Sequence, residues 1–258
     1  MVNENYGLRF IPEYRRVYAH HIPKITVCEI SPLNDLFRGT EIVLFDVGAN
    51  QGLWTKCFLD CYGDRTKSVH LFEPLSGNLQ IIEERKKIGF FDPMLNKMIV
   101  NPVAISDKSG ESEIFFDKKD STLASLSLPE SRFGENIIEL NKSEKIKMVS
   151  VFDYCKKKNI KEIDIVKIDT EGHEFTVLKG MEQMIAEKQI KTVVFEFGIH
   201  QARMRQNFQD FWDFFYDYGY KMYYFRGGKT GFGKIEIEKY STRFEDFTRN
   251  SFLGASIY

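Results

Sequence analysis

From residue 41 onward the chain alternates short apolar runs with amphipathic stretches. The runs at 42–47, 68–73, 97–100 with 103–105, 163–168 and 191–197 are rich in β-branched and aromatic residues. Several lack a clean period of two, which predicts strands buried on both faces. Between them, 51–62, 76–89, 152–158, 173–187 and 205–218 place apolar residues at helical spacing. Two extra strands are predicted at 110–116 and 145–151, and three more at 220–225, 234–239 and 252–258. Strands alternating with helices imply right-handed crossovers and a mostly parallel sheet with helices on both faces. The closely spaced strands after 205–218 predict an antiparallel edge at the C-terminal end. The expected class is therefore α/β.

Two stretches fall outside this rhythm. Residues 1–40, mixed in character and carrying Pro12, Pro23 and Pro32, read as an N-terminal extension packing on a core domain at 41–258. Residues 117–143 are polar, with Ser121, Ser125 and Ser127 interleaved with Leu123, Leu126 and Leu128. A segment of that length without a pattern reads as a lid or binding loop, or as disorder.

Composition narrows the classes. With 258 residues and 43% hydrophobic content the chain can bury a sizeable core. A formal net charge of −1 argues against a nucleic-acid surface, which needs a basic excess. No apolar run reaches the length of a membrane span, and the first ten residues lack a signal-type apolar region. Cys28, Cys57, Cys61 and Cys155 form no C-x-x-C pair and read as small buried thiols in a reducing, cytoplasmic compartment.

The richest stretch is 43–55. An apolar strand ends in Asp46, and a D-x-G-x-N-x-G turn follows, built from Asp46, Gly48, Asn50 and Gly52, with Ala49 inside it. Strand, glycine turn and helix bring a backbone close to a nucleotide-like ligand. A dinucleotide fingerprint needs G-x-G-x-x-G, and Asn50 stands where its second glycine would be. A leading carboxylate repels a pyrophosphate but suits an ammonium group. The turn therefore favours S-adenosylmethionine, which carries an ammonium and a sulfonium and no phosphate.

Ligands of open α/β sheets bind outside the carboxyl ends of the strands, so the strand tips are the candidate site. Glu73, followed by Pro74, ends the second strand where such folds hold ribose hydroxyls, although it also suits a helix cap. Ala104 to Ser106 form a third tip. The segment Asp169-Thr170-Glu171-Gly172-His173-Glu174 turns acidic after an apolar strand. Asp169, Glu171 or His173 could take a proton from an acceptor hydroxyl. The same three could ligate Mg²⁺ or Mn²⁺, or the acids could simply complement a helix dipole. Glu196 ends the next strand with His200 close behind, and both are candidates to orient the acceptor, as are Arg132 and Phe133. Gly227-Gly228-Lys229-Thr230 lacks the first glycine of a P-loop and reads as a hairpin turn. His173-Glu174 lacks the second histidine of H-E-x-x-H. Phe208, Phe211, Trp212, Phe215 and Tyr218 read as a helix face packed on the sheet.

Taken together, F-D-V-G-A-N-Q-G (45–52), F-E-P (72–74), A-I-S-D-x-x-G (104–110) and V-K-I-D-T-E-G-H-E-F-x-V-L-K-G (166–180) resemble the FkbM family of S-adenosylmethionine-dependent methyltransferases. The resemblance spans about 41–200. It implies a Rossmann-like, seven-stranded methyltransferase sheet with a late antiparallel strand. It also implies O-methylation of hydroxyls on glycans, polyketides or other metabolites, and a carbohydrate hydroxyl is the expected acceptor. By the same resemblance Asp46, Gly48, Asn50 and Gly52 surround the methionine part of the cofactor. Glu73 goes to the ribose, the tip near Ala104 to the adenine, and Asp169 to the transferred methyl. A natural-product hydroxyl, a nicotinamide-dependent oxidoreductase and a non-catalytic cofactor-binding module are the competing readings.

Overall fold

A computed structural model describes residues 41–126, 130–133, 136–228, 231–247 and 251–258, together with Ile30, Leu33 and Leu36. Strand β1 (Ile42–Val47) leads through the glycine turn into helix α1 (Leu53–Tyr62), then β2 (Thr66–Phe72), α2 (Ser76–Lys87) and β3 (Met98–Asn101). The chain then leaves the main sheet for β4 (Ala104–Ile105), β5 (Gly110–Phe116), β6 (Glu130–Phe133), β7 (Asn136–Glu139) and β8 (Lys142–Val149). It returns through α3 (Val151–Lys158) to β9 (Ile163–Ile168), α4 (Glu174–Lys179), α5 (Glu182–Ala186) and β10 (Ile190–Phe197). Helices α6 (Ile199–Arg203) and α7 (Phe208–Asp217) precede β11 (Lys221–Gly228), β12 (Gly231–Ile237) and β13 (Ser251–Ser256).

The main sheet runs β12-β11-β13-β10-β9-β1-β2-β3. The pairs β2–β3, β1–β2, β1–β9 and β9–β10 are parallel. The pairs β10–β13, β11–β13 and β11–β12 are antiparallel. Strand order reverses at β1: the chain winds outward to β2 and β3, then restarts on the other side at β9. That switch point opens a crevice at the carboxyl ends of β1 and β9, where such sheets take ligands.

The central strands are apolar because both faces are covered. On one face Phe45, Val166, Val193, Phe195 and Phe197 pack against α3, α4, α5 and α7. Phe195 stacks on Phe211 with ring centroids 5.0 Å apart, so the aromatic spacing of α7 is core. On the other face Leu44, Val69, Leu71, Ile165 and Val194 pack with α1. Ile30, Leu33 and Leu36 belong to this second cluster, and Thr192 Oγ1 donates to the Leu36 carbonyl at 2.7 Å. The rest of the predicted extension, 1–29 above all, lies outside the described residues.

Several boundaries depart from the sequence expectation. The main sheet has eight strands rather than seven, because the hairpin closing at Gly228 and Gly231 adds β12 outside β11. The predicted third strand divides at Pro102 and Val103: β3 stays in the main sheet, and β4 pairs with β8 in a three-stranded sheet with β5. The predicted helix 173–187 breaks in two at Gly180, whose backbone lies so close to Ser106 that a Cβ would sit 2.0 Å from its carbonyl oxygen. The predicted helix 205–218 begins only at Phe208, after the separate α6. Within 117–143, β6 and β7 pair antiparallel. Cys57 and Cys155 are buried, whereas Cys61 is exposed, contrary to its reading as a buried thiol; Cys28 lies outside the described residues. No helix among the described residues is long and apolar enough to cross a membrane.

Candidate active site

The turn after β1 is built to approach its neighbours. The Gly48 and Ala49 N–H groups both donate to the Phe72 carbonyl at 3.0 Å, which binds the turn to the tip of β2. Gly48 has a φ of 73°, and a Cβ there would lie 1.8 Å from the Asp169 carbonyl oxygen, so only glycine fits. Asn50 also takes a left-handed conformation, one that asparagine tolerates better than most residues. Its N–H donates to Glu73 Oε2 at 2.8 Å.

Glu73 is the hub of this end of the site. Oε1 accepts from the Leu75 N–H at 2.9 Å and from Asn78 Nδ2 at 3.4 Å. Burial pushes its carboxyl up to about 7, against the opposing pull of the backbone donors. Asn78 Nδ2 and Asn50 Nδ2 both donate to the Ser121 carbonyl, at 2.9 and 3.3 Å. The loop after β5 is thereby tied to the glycine turn. Asn78 was not singled out by the sequence, and Ser121 was marked only as part of the polar loop at 117–143.

Beneath the turn lies a buried charge network. Lys167, on β9 and 2% exposed, donates to the Gly48 carbonyl at 2.9 Å. Its Nζ lies 3.2 Å from Asp46 Oδ1 and 3.4 Å from Asp169 Oδ2. Asp46 Oδ2 accepts from Thr55 Oγ1 at 2.5 Å. Asp46 is fully buried and does not line the cleft; the ammonium it meets is that of Lys167. A lysine inside an apolar strand is tolerated because three acceptors satisfy it.

The acidic loop 169–172 is held by Glu174. Its carboxylate accepts from the Thr170 N–H at 2.7 Å, the Gly172 N–H at 3.0 Å and Gln201 Nε2 at 2.5 Å. Glu171 sits at a φ of 53°, and its carbonyl accepts from Ser125 Oγ at 3.1 Å. The Glu171 carboxylate meets His200 Nδ1 at 3.0 Å. Burial raises Glu171 above the usual carboxylate range, and the His200 contact partly opposes the rise. Burial alone would lower the His200 imidazole, but the hydrogen bond and charge of Glu171 lift it above its ordinary value.

These elements border an open cleft, about 590 Å³ when the solvent at its mouth is counted. Glu73 and Pro74 line one part, and Asp169, Thr170 and Glu171 another. Ala104, Ile105, Ile114 and Leu126 form an apolar wall. Among the described lining residues three are carboxylates and none is basic. Gly48, Asn50, Glu73, Pro74, Ala104, Asp169 and Glu171 thus line one cleft. Ala49 and Gly52 lie behind it, with Gly52 against Phe91.

His173 stands apart from the cleft. Its Nε2 lies 3.0 Å from Ser106 Oγ, and burial lowers it to about 4, which keeps the ring neutral. The sequence grouped Asp169, Glu171 and His173 as metal ligands, but among the described residues the trio within ligating reach is Glu171, Glu196 and His200. The long-range pairing of Glu171 with His200 explains the difference. Arg132 lies on β6, whose side chains are outside the described residues, as is that of Phe133.

Residues 46–222 match the family model described as the methyltransferase FkbM domain. No curated protein matches the chain by sequence. Among solved structures, a methyltransferase FkbM from Methylobacillus flagellatus is similar at a TM-score of 0.54 and 14% identity, over 98% of this chain. The chain spans 56% of that protein's length. A human methyltransferase 10 domain containing protein is similar at a TM-score of 0.48 and 10% identity, covering 99% of this chain and 96% of its own. At such identities the first likeness shows a shared fold.

Proposed function

The chain belongs to the FkbM methyltransferase family, and from that premise we propose that it moves a methyl group from S-adenosylmethionine to a hydroxyl of a carbohydrate. The observation that carries this reading is the cleft lined by Glu73, Asp169 and Glu171 with no basic residue among the described lining. Such a site repels phosphates and attracts a ligand bearing ammonium and sulfonium charges. Its apolar wall at Ala104, Ile105 and Ile114 suits an adenine ring.

When bound, the cofactor supplies a methyl group on a positively charged sulfur, open to in-line displacement by an oxygen. Glu73 would accept from the two ribose hydroxyls. The Gly48 turn lets the backbone lie against the amino-acid part. Asp169, one-third exposed at the cleft, is the group assigned to the acceptor's proton, with Glu171 beside it. His173, turned to Ser106, has no part in this assignment. A neutral sugar hydroxyl is a weak nucleophile, so proton removal accompanies attack. The chain contributes further by fixing the acceptor oxygen at attack distance.

A carbohydrate acceptor draws support from a second cleft at the carboxyl end of β10. Tyr224 and Phe244 present aromatic surface there beside Arg243 and Asp246, over the buried Phe197. Rings that pack on sugar C–H faces, next to a few polar groups that fix orientation, are a mixture suited to sugars.

Incubation with methyl-labelled cofactor and a panel of free, lipid-linked and nucleotide-linked sugars tests the reading. Label in an ether linkage on a sugar is expected. Asp169→Ala should lower turnover by at least about 100-fold while binding of S-adenosylhomocysteine weakens less. Near-normal turnover in that variant removes Asp169 from the mechanism. Label found only on small phenolic or polyketide hydroxyls, or transfer to no acceptor, would overturn the carbohydrate assignment.

A further inference from the structure

We propose that Glu171, Glu196 and His200 form a binding site for one first-row divalent cation at the border of the cofactor cleft. One ligand atom from each lies within 4.8 Å of the other two. Atoms bound to one ion at about 2.0–2.2 Å are about 3 Å apart when adjacent and about 4.3 Å apart when opposed. The 4.8 Å bound is a few tenths of an ångström wider than such a shell, so the side chains would close slightly around an ion, and the Glu171–His200 contact of 3.0 Å is already short enough for an adjacent pair.

Topology places the three together. Glu171 follows the tip of β9, Glu196 sits near the end of β10, and the two strands are parallel neighbours. His200 comes from α6, the short helix that starts three residues after Glu196. Each position is braced by residues outside the trio. Glu174 holds the loop that carries Glu171, and Ser125 donates to its carbonyl. Gln201 Nε2 bridges Glu174 and the Glu196 carbonyl, at 2.5 and 3.3 Å. Supports of this kind orient metal ligands.

Charge points the same way. Glu196 is 9% exposed and His200 3% exposed, and Asp169 adds a further negative charge beside Glu171. Carboxylates sharing a buried site repel one another. A divalent cation neutralises the pair and takes the imidazole as a third ligand. One nitrogen and two carboxylates favour Mn²⁺, Fe²⁺ or Zn²⁺ over Mg²⁺ and Ca²⁺, which prefer all-oxygen shells. Three protein ligands leave positions open. Because Glu171 also lines the cofactor cleft, an ion held here would sit at the border of that cleft. A part for that ion in catalysis rests on the methyl-transfer reading; cation binding itself does not.

The test uses the full chain, stripped with chelator and titrated with Mn²⁺ while electron paramagnetic resonance reads the free aquo ion. One Mn²⁺ per chain is expected, with nitrogen modulation in the spin echo from a bound imidazole and Mg²⁺ a weaker competitor. Glu196→Gln and His200→Gln should each weaken Mn²⁺ binding by about tenfold or more, with circular dichroism confirming that the metal-free variants remain folded. No Mn²⁺ bound at about 1 mM, no nitrogen coupling, or unchanged affinity in both variants would overturn the proposal. The spin-echo result stands even if a variant fails to fold. S-Adenosylhomocysteine is titrated into the same samples. Binding of that ligand without Mn²⁺ ends the cation site alone; Mn²⁺ bound without that ligand keeps the site and ends the methyl-transfer reading.

Discussion

Glu73 presents a carboxyl group that is most easily neutral in the empty cleft and most useful when charged. Its pKa rises from 4.5 to about 7 because burial penalises the anion. A raised carboxyl contributes stability below its unfolded value and loses that contribution as pH rises through the folded one. At about 1.4 kcal/mol per unit, the shift predicts that roughly 3 kcal/mol is lost between pH 4.5 and about 7. Urea unfolding of wild type and Glu73→Gln across that range should show the wild-type stability falling relative to the variant. Parallel profiles would contradict the account. The sequence marked Glu73 by its place at a strand tip. It did not reveal what the residue holds, because Asn50 and Asn78, both bonded to the Ser121 carbonyl, reach its carboxyl only through the fold. Lys167 was hidden for the same reason: in a strand of Ile and Val it looks like an exception until the Gly48 carbonyl, Asp46 and Asp169 are seen around it.

At the scale of elements, the site is an interlock between the turn after β1 and the loop after β9. Gly48 lies under the Asp169 carbonyl, and the Asp169 N–H donates back to Val47 at 3.1 Å. Gly48→Ala combines a positive φ with a clash against backbone, and should cost at least about 2 kcal/mol. Gly110→Ala is the control, since nothing lies within 4 Å of its Cβ position, and should fall within about 0.5 kcal/mol of wild type. Equal unfolding midpoints for the two variants in denaturant would show that the interlock does not hold the turn. The glycine turn was legible because strand, turn and helix signals are local. The break at Gly180 was not, since it depends on Ser106, far away in sequence. His173 was placed with the acids by proximity in sequence, yet its ring turns to Ser106 while His200 reaches Glu171 from another helix.

Over the whole molecule, the alternation of strands and helices fixed the parallel half of the sheet, and the closely spaced late strands its antiparallel half. The strand expected at 234–239 is β12, and the count of seven implied by the family resemblance becomes eight because β12 joins the same sheet at its edge. Two buried rings tie the sheet to its flanks. His70 Nδ1 lies 2.8 Å from the Tyr154 hydroxyl, which donates to Asn101 Oδ1 at 3.0 Å. Burial lowers both His70 and His173 to about 4. A depressed histidine contributes stability above its unfolded value of 6.5, lost as pH falls through about 4. Each ring should therefore add a slope of about 1.4 kcal/mol per pH unit in that window. His70→Gln, which keeps a donor for Tyr154, should reduce the acid slope measured by urea unfolding. An unchanged slope would contradict a neutral buried ring.

The central claim is that the acidic cleft at the carboxyl ends of β1, β2 and β9 holds S-adenosylmethionine. Calorimetric titration with S-adenosylhomocysteine, run beside NAD⁺ on wild type and Glu73→Ala at pH 8, tests it most directly. One S-adenosylhomocysteine should bind per chain, NAD⁺ should give no heat, and Glu73→Ala should lose about tenfold or more in affinity. Binding of NAD⁺ in preference, or the same S-adenosylhomocysteine affinity in both proteins, would contradict the claim.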